Sequence, residues 1–107
     1  MNSGTVTVVI HYQAQPGQSG TARRELAALI EKVVASEPDC LGIQLLVDED
    51  DDTRFLLYER WTGRAAYTGP HMQTAHIQEF ITKAPSFMAG PPAITYWQLT
   101  LEVPEST

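Results

Sequence analysis

Residues 41–47 read LGIQLLV, residues 48–52 DEDDD, and residues 54–61 RFLLYERW: two apolar runs joined by an acidic connection. Side chains alternate across a strand at period two. Phe55, Leu57, Glu59 and Trp61 therefore share one face of the second run, and Leu56, Tyr58 and Arg60 the other. Leu41–Val47 and Arg54–Trp61 read as the two arms of a β-hairpin. Asp48–Asp52 is then its solvated tip. Carboxylates crowded together without a glycine at the turn lack the alternating ligand positions of a calcium loop, so no metal is expected there.

Working outward, Thr5–Gln13 (TVTVVIHYQ) is rich in β-branched residues and apolar on both faces, which predicts a central strand. Pro16-Gly17 ends it, and Ser19 or Thr21 is placed to cap a helix over Ala22–Ser36. Ala22, Leu26, Leu29, Ile30, Val33 and Val34 form the apolar stripe of that helix. Glu37-Pro38-Asp39 closes it, because the residue before a proline disfavours helix. On the other side of the hairpin, Thr62 is placed to cap a short helical stretch over Ala65, Ala66 and Tyr67, which Gly69-Pro70 breaks. Pro70 then suits the first turn of a helix over His71–Lys83. On one continuous helix His71 and His76, five residues apart, lie roughly 140° apart and do not converge on one metal. Phe87 and Met88 fall in a short segment between proline clusters, and Ala93–Val103 (AITYWQLTLEV) reads as the last strand.

The order is βαββαβ. It predicts an α+β, ferredoxin-like fold, a four-stranded antiparallel sheet with its helices on one face. The other sheet face carries Val9, Leu56, Tyr58, Trp97 and Leu99. An apolar sheet is rarely left in water, so a homodimer is expected to cover it.

Composition narrows the function classes. The 107 residues are expected to form a single domain over 1–107, with 1–4 and 104–107 as flexible tails. The chain is 43% hydrophobic and 19% charged, with a net charge of −6. That balance supplies no basic patch for nucleic acid or an anionic membrane surface. No apolar run approaches the roughly 20 residues that span a bilayer. A single cysteine, Cys40, leaves no internal disulfide and no zinc-finger ligand set. Without a targeting signal, the expected location is the cytoplasm.

Tyr58-Glu59-Arg60-Trp61, then Ala65-Ala66, then Pro70-His71-Met72-Gln73-Thr74-Ala75-His76-Ile77-Gln78-Glu79-Phe80 resembles the antibiotic biosynthesis monooxygenase family, the dimeric α/β-barrel group of small ferredoxin-like proteins. Glu59, Trp61, Ala66, His71, Thr74, His76 and Phe80 carry the family's central pattern. Pro16-Gly17 and Gly90-Pro91 extend the resemblance over nearly the whole chain.

The resemblance implies a cofactor-independent monooxygenase, which oxidises a quinol or a polycyclic phenol or anthrone with molecular oxygen. Such chemistry needs a base tuned near neutral pH, donors for an oxyanion, and a dry apolar enclosure. His71 is the leading base, since imidazole titrates near neutrality and a helix N-terminus favours its neutral form. Trp61 joins it as the second catalytic residue. The expected substrate pocket comprises Tyr12, Glu59, His76, Phe80, Phe87 and Tyr96, with Tyr12, His11 and His76 as reserve donors. Glu59, if it faces the helices, is a buried carboxylate that needs a partner. No metal and no cofactor are called for; the partners are a small aromatic substrate, oxygen and a second copy of the chain. Haem is the alternative cofactor: the family's haem-degrading branch pairs a first-strand Asn with a Trp and a His. Trp61 and His71 match. The Asn position falls on an apolar residue near Ile10, or on His11 if the register shifts. A non-oxidative binding or isomerase module is the third reading.

Overall fold

The structure, a computed structural model, describes residues 4–106. Its elements are β1 (Val6–Gln13), α1 (Ser19–Ser36), β2 (Cys40–Val47), β3 (Arg54–Trp61), α2 (Arg64–Thr68), α3 (Ala75–Lys83) and β4 (Ala93–Trp97). The four strands form one sheet in the order β2-β3-β1-β4, with every neighbouring pair antiparallel. The helices lie on one face, giving the ferredoxin-like α+β fold expected from the element order.

The period-two reading of β3 holds. Phe55, Leu57, Glu59 and Trp61 are all buried towards the helices. They meet Val6, Val8 and Ile10 of β1 and Leu26, Leu29 and Val33 of α1 in one core. Register places Val8 opposite Glu59 and Ile10 opposite Leu57, so β1 and β3 build the floor of whatever lies under the helices. At the other end of the hairpin, the tip is exposed and closed by its own side chains. Arg54 Nη1 donates to Asp48 Oδ2 at 2.9 Å, and the Thr53 backbone N–H donates to Asp51 Oδ1 at 3.0 Å.

Three local expectations are corrected. First, neither Ser19 nor Thr21 caps α1: it starts at Ser19 after Gln18, and Ser19 Oγ donates to Asp52 Oδ1 at 3.3 Å instead. Likewise Thr62 is not the cap of α2; Gly63 occupies that position, and Thr62 Oγ1 donates to Asp39 Oδ1 at 2.8 Å. Hydroxyls near a helix start take the nearest acceptor, and here the hairpin tip and the loop before β2 offer one.

Second, the helix expected over His71–Lys83 is two pieces. Pro70–Gln73 is a 3₁₀ turn, Thr74 is extended (φ −69°, ψ 149°), and α3 begins at Ala75. Thr74 Oγ1 donates to the His71 carbonyl at 2.8 Å and accepts from the Ile77 N–H at 3.4 Å. That hydroxyl ends one turn and caps the next.

Third, β4 stops at Trp97 rather than Val103. Trp97 pairs with Thr7, and β1 begins one residue before Thr7. Beyond Trp97 the ladder has no further partner among the described residues. Leu99, Leu101 and Val103 are 71%, 76% and 79% exposed. Residues 104–106 of the expected C-terminal tail are exposed and irregular, as is residue 4 apart from a turn; residues 1–3 and 107 lie outside the described residues.

Candidate active site

Between the sheet and the helices lies a cavity of about 330 Å³. Its floor is Ile10 and Tyr12 of β1, Ile43 of β2, Leu57 and Glu59 of β3, and Ile94 of β4. Its roof is Leu29, Ile30 and Val33 of α1, Tyr67 of α2, His71 and Met72 of the 3₁₀ turn, and Ile77, Phe80 and Ile81 of α3. The wall is apolar apart from Glu59, His71 and two tyrosine hydroxyls.

Glu59 is 3% exposed. Its partner is Trp61, whose indole Nε1–H donates to Glu59 Oε1 at 2.8 Å. Both sit on the same face of β3, two residues apart, so the strand itself brings donor to acceptor. Burial raises the Glu59 carboxyl pKa to about 7 against the opposing pull of the indole hydrogen bond, with the Glu37 charge adding to the rise. A single hydrogen bond in an apolar chamber does not replace the water a carboxylate loses.

Tyr12 and Tyr67 face the same carboxylate. Burial raises the Tyr12 phenol to about 12, with the Glu59 charge contributing. Burial raises the Tyr67 phenol as well, again reinforced by Glu59. Neither hydroxyl hydrogen-bonds to another described residue, so both are neutral donors without an acceptor. Tyr12 also packs edge-on to Phe80 at 6.0 Å.

His71 lines the cavity and is 4% exposed. Its ring stacks on Tyr67 (centroids 4.9 Å apart, planes 25°) and meets Trp61 at 4.6 Å. Burial lowers its pKa, against the raising effect of Glu37. The largest cause is desolvation rather than a helix N-terminus, since the turn that Pro70 begins is only four residues long.

Trp61 and His71 thus meet, but Trp61 lies behind the wall at 1% exposure, supporting Glu59 and His71 from below. Tyr12, Glu59 and Phe80 line the cavity; His76, Phe87 and Tyr96 do not. Phe87 packs edge-on to Phe80 at 5.9 Å. Tyr96 packs on Tyr67 at 6.1 Å, with the Arg64 guanidinium 3.8 Å over its ring. His11 is exposed on the opposite sheet face and is no donor to this cavity. Of the two first-strand positions weighed for the Asn, Ile10 lines the cavity and His11 does not.

His76 lies outside the cavity and reaches His71 through a third side chain. Its Nε2 lies 2.6 Å from Glu37 Oε2, and His71 Nδ1 lies 2.9 Å from Glu37 Oε1. The two histidines do converge, on a carboxylate. The break at Thr74 resets the helical phase, so the offset of a continuous helix does not apply. Sequence reasoning missed Glu37, which reads only as a helix terminator before Pro38. It also passed over Tyr67 of α2, whose ring the break at Gly69-Pro70 leaves stacked on His71. Cys40 is a packed thiol, buried, with its pKa raised by burial.

A larger, more open depression of about 800 Å³ lies at the far end of the sheet, beside Leu46, Val47 and Gly90. Its carboxylate and guanidinium, Asp48 and Arg54, already pair with each other, and His11 is the imidazole on its rim.

PA3566 from Pseudomonas aeruginosa has the same fold, with a TM-score of 0.83 and 26% sequence identity over 94% of this chain and 99% of that one. Rv0793 from Mycobacterium tuberculosis shares the fold at a TM-score of 0.81 and 22% identity, covering 94% of this chain and 100% of that chain. An uncharacterised protein of Synechocystis sp. is 38% identical over 64 residues, 60% of this chain; the match spans 43% of that relative's length. The sequence model of the antibiotic biosynthesis monooxygenase family matches residues 5–83, which include β1, the hairpin, Glu59, His71 and α3. This chain belongs to the antibiotic biosynthesis monooxygenase family.

Proposed function

We propose that the chain is a cofactor-independent monooxygenase acting on an electron-rich phenol, either a quinol or a polycyclic phenol or anthrone. The observation that carries this reading is Glu59: a buried carboxyl with a pKa of about 7, at the wall of an apolar cavity. A base with that pKa works close to neutral pH. Its protonation state is decided by the chamber that also excludes bulk water.

The chemistry follows in order. Glu59 takes the phenolic proton. Tyr12 and Tyr67 donate hydrogen bonds to the oxyanion that forms, in a medium where such bonds are strong. The electron-rich anion passes one electron to oxygen, and the two radicals combine to form a C–O bond. Loss of water from the resulting peroxide leaves one oxygen atom in the product. For a quinol, the overall conversion is quinol plus oxygen to hydroxyquinone plus water. The substrate supplies all the electrons, so no external reductant is required.

The haem alternative is weaker on the residues themselves. Ile10 offers no hydrogen bond where the haem-degrading branch carries an Asn. A proton-shuttling isomerase would use the same base and donors, and turnover without oxygen distinguishes it.

The functional unit in this reading is a homodimer. The sheet face away from the helices presents Leu46, Tyr58 and Trp97 at 46%, 40% and 59% exposure. Sheet-to-sheet pairing with a second copy covers them.

The test is oxygen uptake with hydroquinones and anthrones, without added metal or flavin. The wild type consumes one oxygen per product formed. Glu59→Gln is expected to be at least about 100-fold slower, the lower end for loss of a general base. Equal rates for the two proteins would remove Glu59 as the base. No uptake on any substrate, with turnover under anaerobic conditions, would replace the oxygenase by an isomerase.

A further inference from the structure

Glu37 takes no part in the steps above, yet its carboxylate is clamped between two imidazoles. Oε1 and Oε2 lie 2.9 and 3.0 Å from His71 Nδ1, and Oε2 lies 2.6 Å from His76 Nε2. The three side chains are 13%, 4% and 15% exposed. They come from three separate places: the end of α1, the 3₁₀ turn and α3.

A carboxylate has no proton to give, so both imidazole nitrogens meet it as N–H donors. For His71 this selects one tautomer. Nδ1 carries the proton, and Nε2 keeps its lone pair. The ring cannot turn to exchange the two, because Tyr67 stacks on one side and Trp61 abuts it. Nε2 has no partner of its own, and no fully buried side-chain nitrogen or oxygen lacks a partner among the described residues. Nε2 is therefore accessible, and the space that His71 lines is the cavity. Burial lowers the pKa of the ring and so favours the neutral form that an acceptor requires.

We propose that Glu37 is a positioning residue: it holds the His71 Nε2 lone pair towards the cavity as a second proton acceptor beside Glu59, and so favours substrates with two acidic hydroxyls. This rests on the oxygenase reading for its substrate and on the clamp alone for its geometry. A hydroquinone gives one hydroxyl proton to Glu59 and the other to His71. The doubly deprotonated ring is the better electron donor to oxygen. Both protons stay on these bases until the O–O bond breaks and water leaves. An anthrone or a monohydric phenol needs one acceptor and draws less from Glu37.

The closing experiment has two readouts. Nitrogen-15 NMR of the wild type at pH 8 reports the tautomer without any variant; the expected His71 pattern is a protonated Nδ1 and an unprotonated Nε2. The opposite tautomer, or an equal mixture, overturns the clamp. Oxygen uptake by Glu37→Gln is then compared on a hydroquinone and on an anthrone. The expected result is a kcat lowered about tenfold on the hydroquinone, with KM within about twofold, and less than about threefold on the anthrone. Tenfold corresponds to about 1.4 kcal/mol of barrier. Equal losses on the two substrates would reduce Glu37 to a structural tie and overturn its role in selection. If the wild-type tautomer is as expected but neither substrate consumes oxygen, the oxygenase reading fails and substrate selection by Glu37 falls with it, while the clamp stands.

Discussion

Replacing Glu59 with Gln should stabilise the protein at alkaline pH, although it removes the proposed base. The folded state holds this carboxyl with a pKa of about 7, against 4.5 for the same group in the unfolded chain. Between these values the folded state binds the proton more tightly, so stability falls as pH rises through the interval and stays low above it. At about 1.4 kcal/mol per pH unit, the cost above pH 7 is about 3 kcal/mol, of which roughly 2.5 kcal/mol develops between pH 5 and pH 8.5. Gln does not titrate, and its carbonyl still accepts from the Trp61 indole. The assay is urea unfolding of both proteins at pH 5 and pH 8.5, at one protein concentration because dimerisation shifts apparent stability. The variant's stability relative to wild type should improve by roughly 2.5 kcal/mol from the lower to the higher pH. Differences unrelated to the carboxyl cancel in this comparison. A relative stability independent of pH would show that Glu59 is hydrated in the folded protein, and a relative loss at pH 8.5 would show that its charge is favoured there. Either result refutes the burial argument.

Trp61→Phe removes the indole hydrogen bond that favours the Glu59 charge, so the alkaline rise in oxygen uptake should move up by roughly one to two pH units; an unmoved profile would show that the indole does not tune the carboxyl. Gly69→Ala places a methyl 2.8 Å from the Ala65 carbonyl oxygen, where backbone cannot yield cheaply, and should cost about 1–3 kcal/mol in urea unfolding. Because Gly69 directly precedes the turn that carries His71, the same variant should also perturb the His71 nitrogen resonances. Paired substitution of Tyr58 and Trp97 by Glu should convert a dimer into a monomer in sedimentation velocity; a wild type that sediments as a monomer would defeat the dimer argument.

Alternation alone made most of the fold legible. The period-two pattern of residues 54–61 put Glu59 and Trp61 on one face with Phe55 and Leu57, the face the structure turns to the core, and the hairpin gave the βαββαβ order. What alternation cannot report is where a ladder ends: Leu99, Leu101 and Val103 continue the pattern of β4, but among the described residues β1 extends no further than Val6 to pair with them. The site was less legible. Glu59 declared itself as a charge on an apolar face. Glu37 lies at a helix end 34 residues from His71, and only the packing of α1 against α3 brings them together. Nor could the meeting of His71 and His76 be read from spacing, because one threonine hydroxyl, that of Thr74, divides the segment and resets its phase. Helical period is a sound guide only within an unbroken helix.

The central claim is that a buried carboxyl, tuned by its chamber, starts the reaction. It is tested most directly by the pH dependence of kcat/KM for oxygen uptake, using a hydroquinone whose own hydroxyls titrate well above neutrality. The wild type should rise through an inflection near pH 7, where Glu59 loses its proton, and Glu59→Gln should lack that inflection. An inflection that persists in Glu59→Gln, or one that follows the hydroxyl pKa from substrate to substrate, would contradict the account.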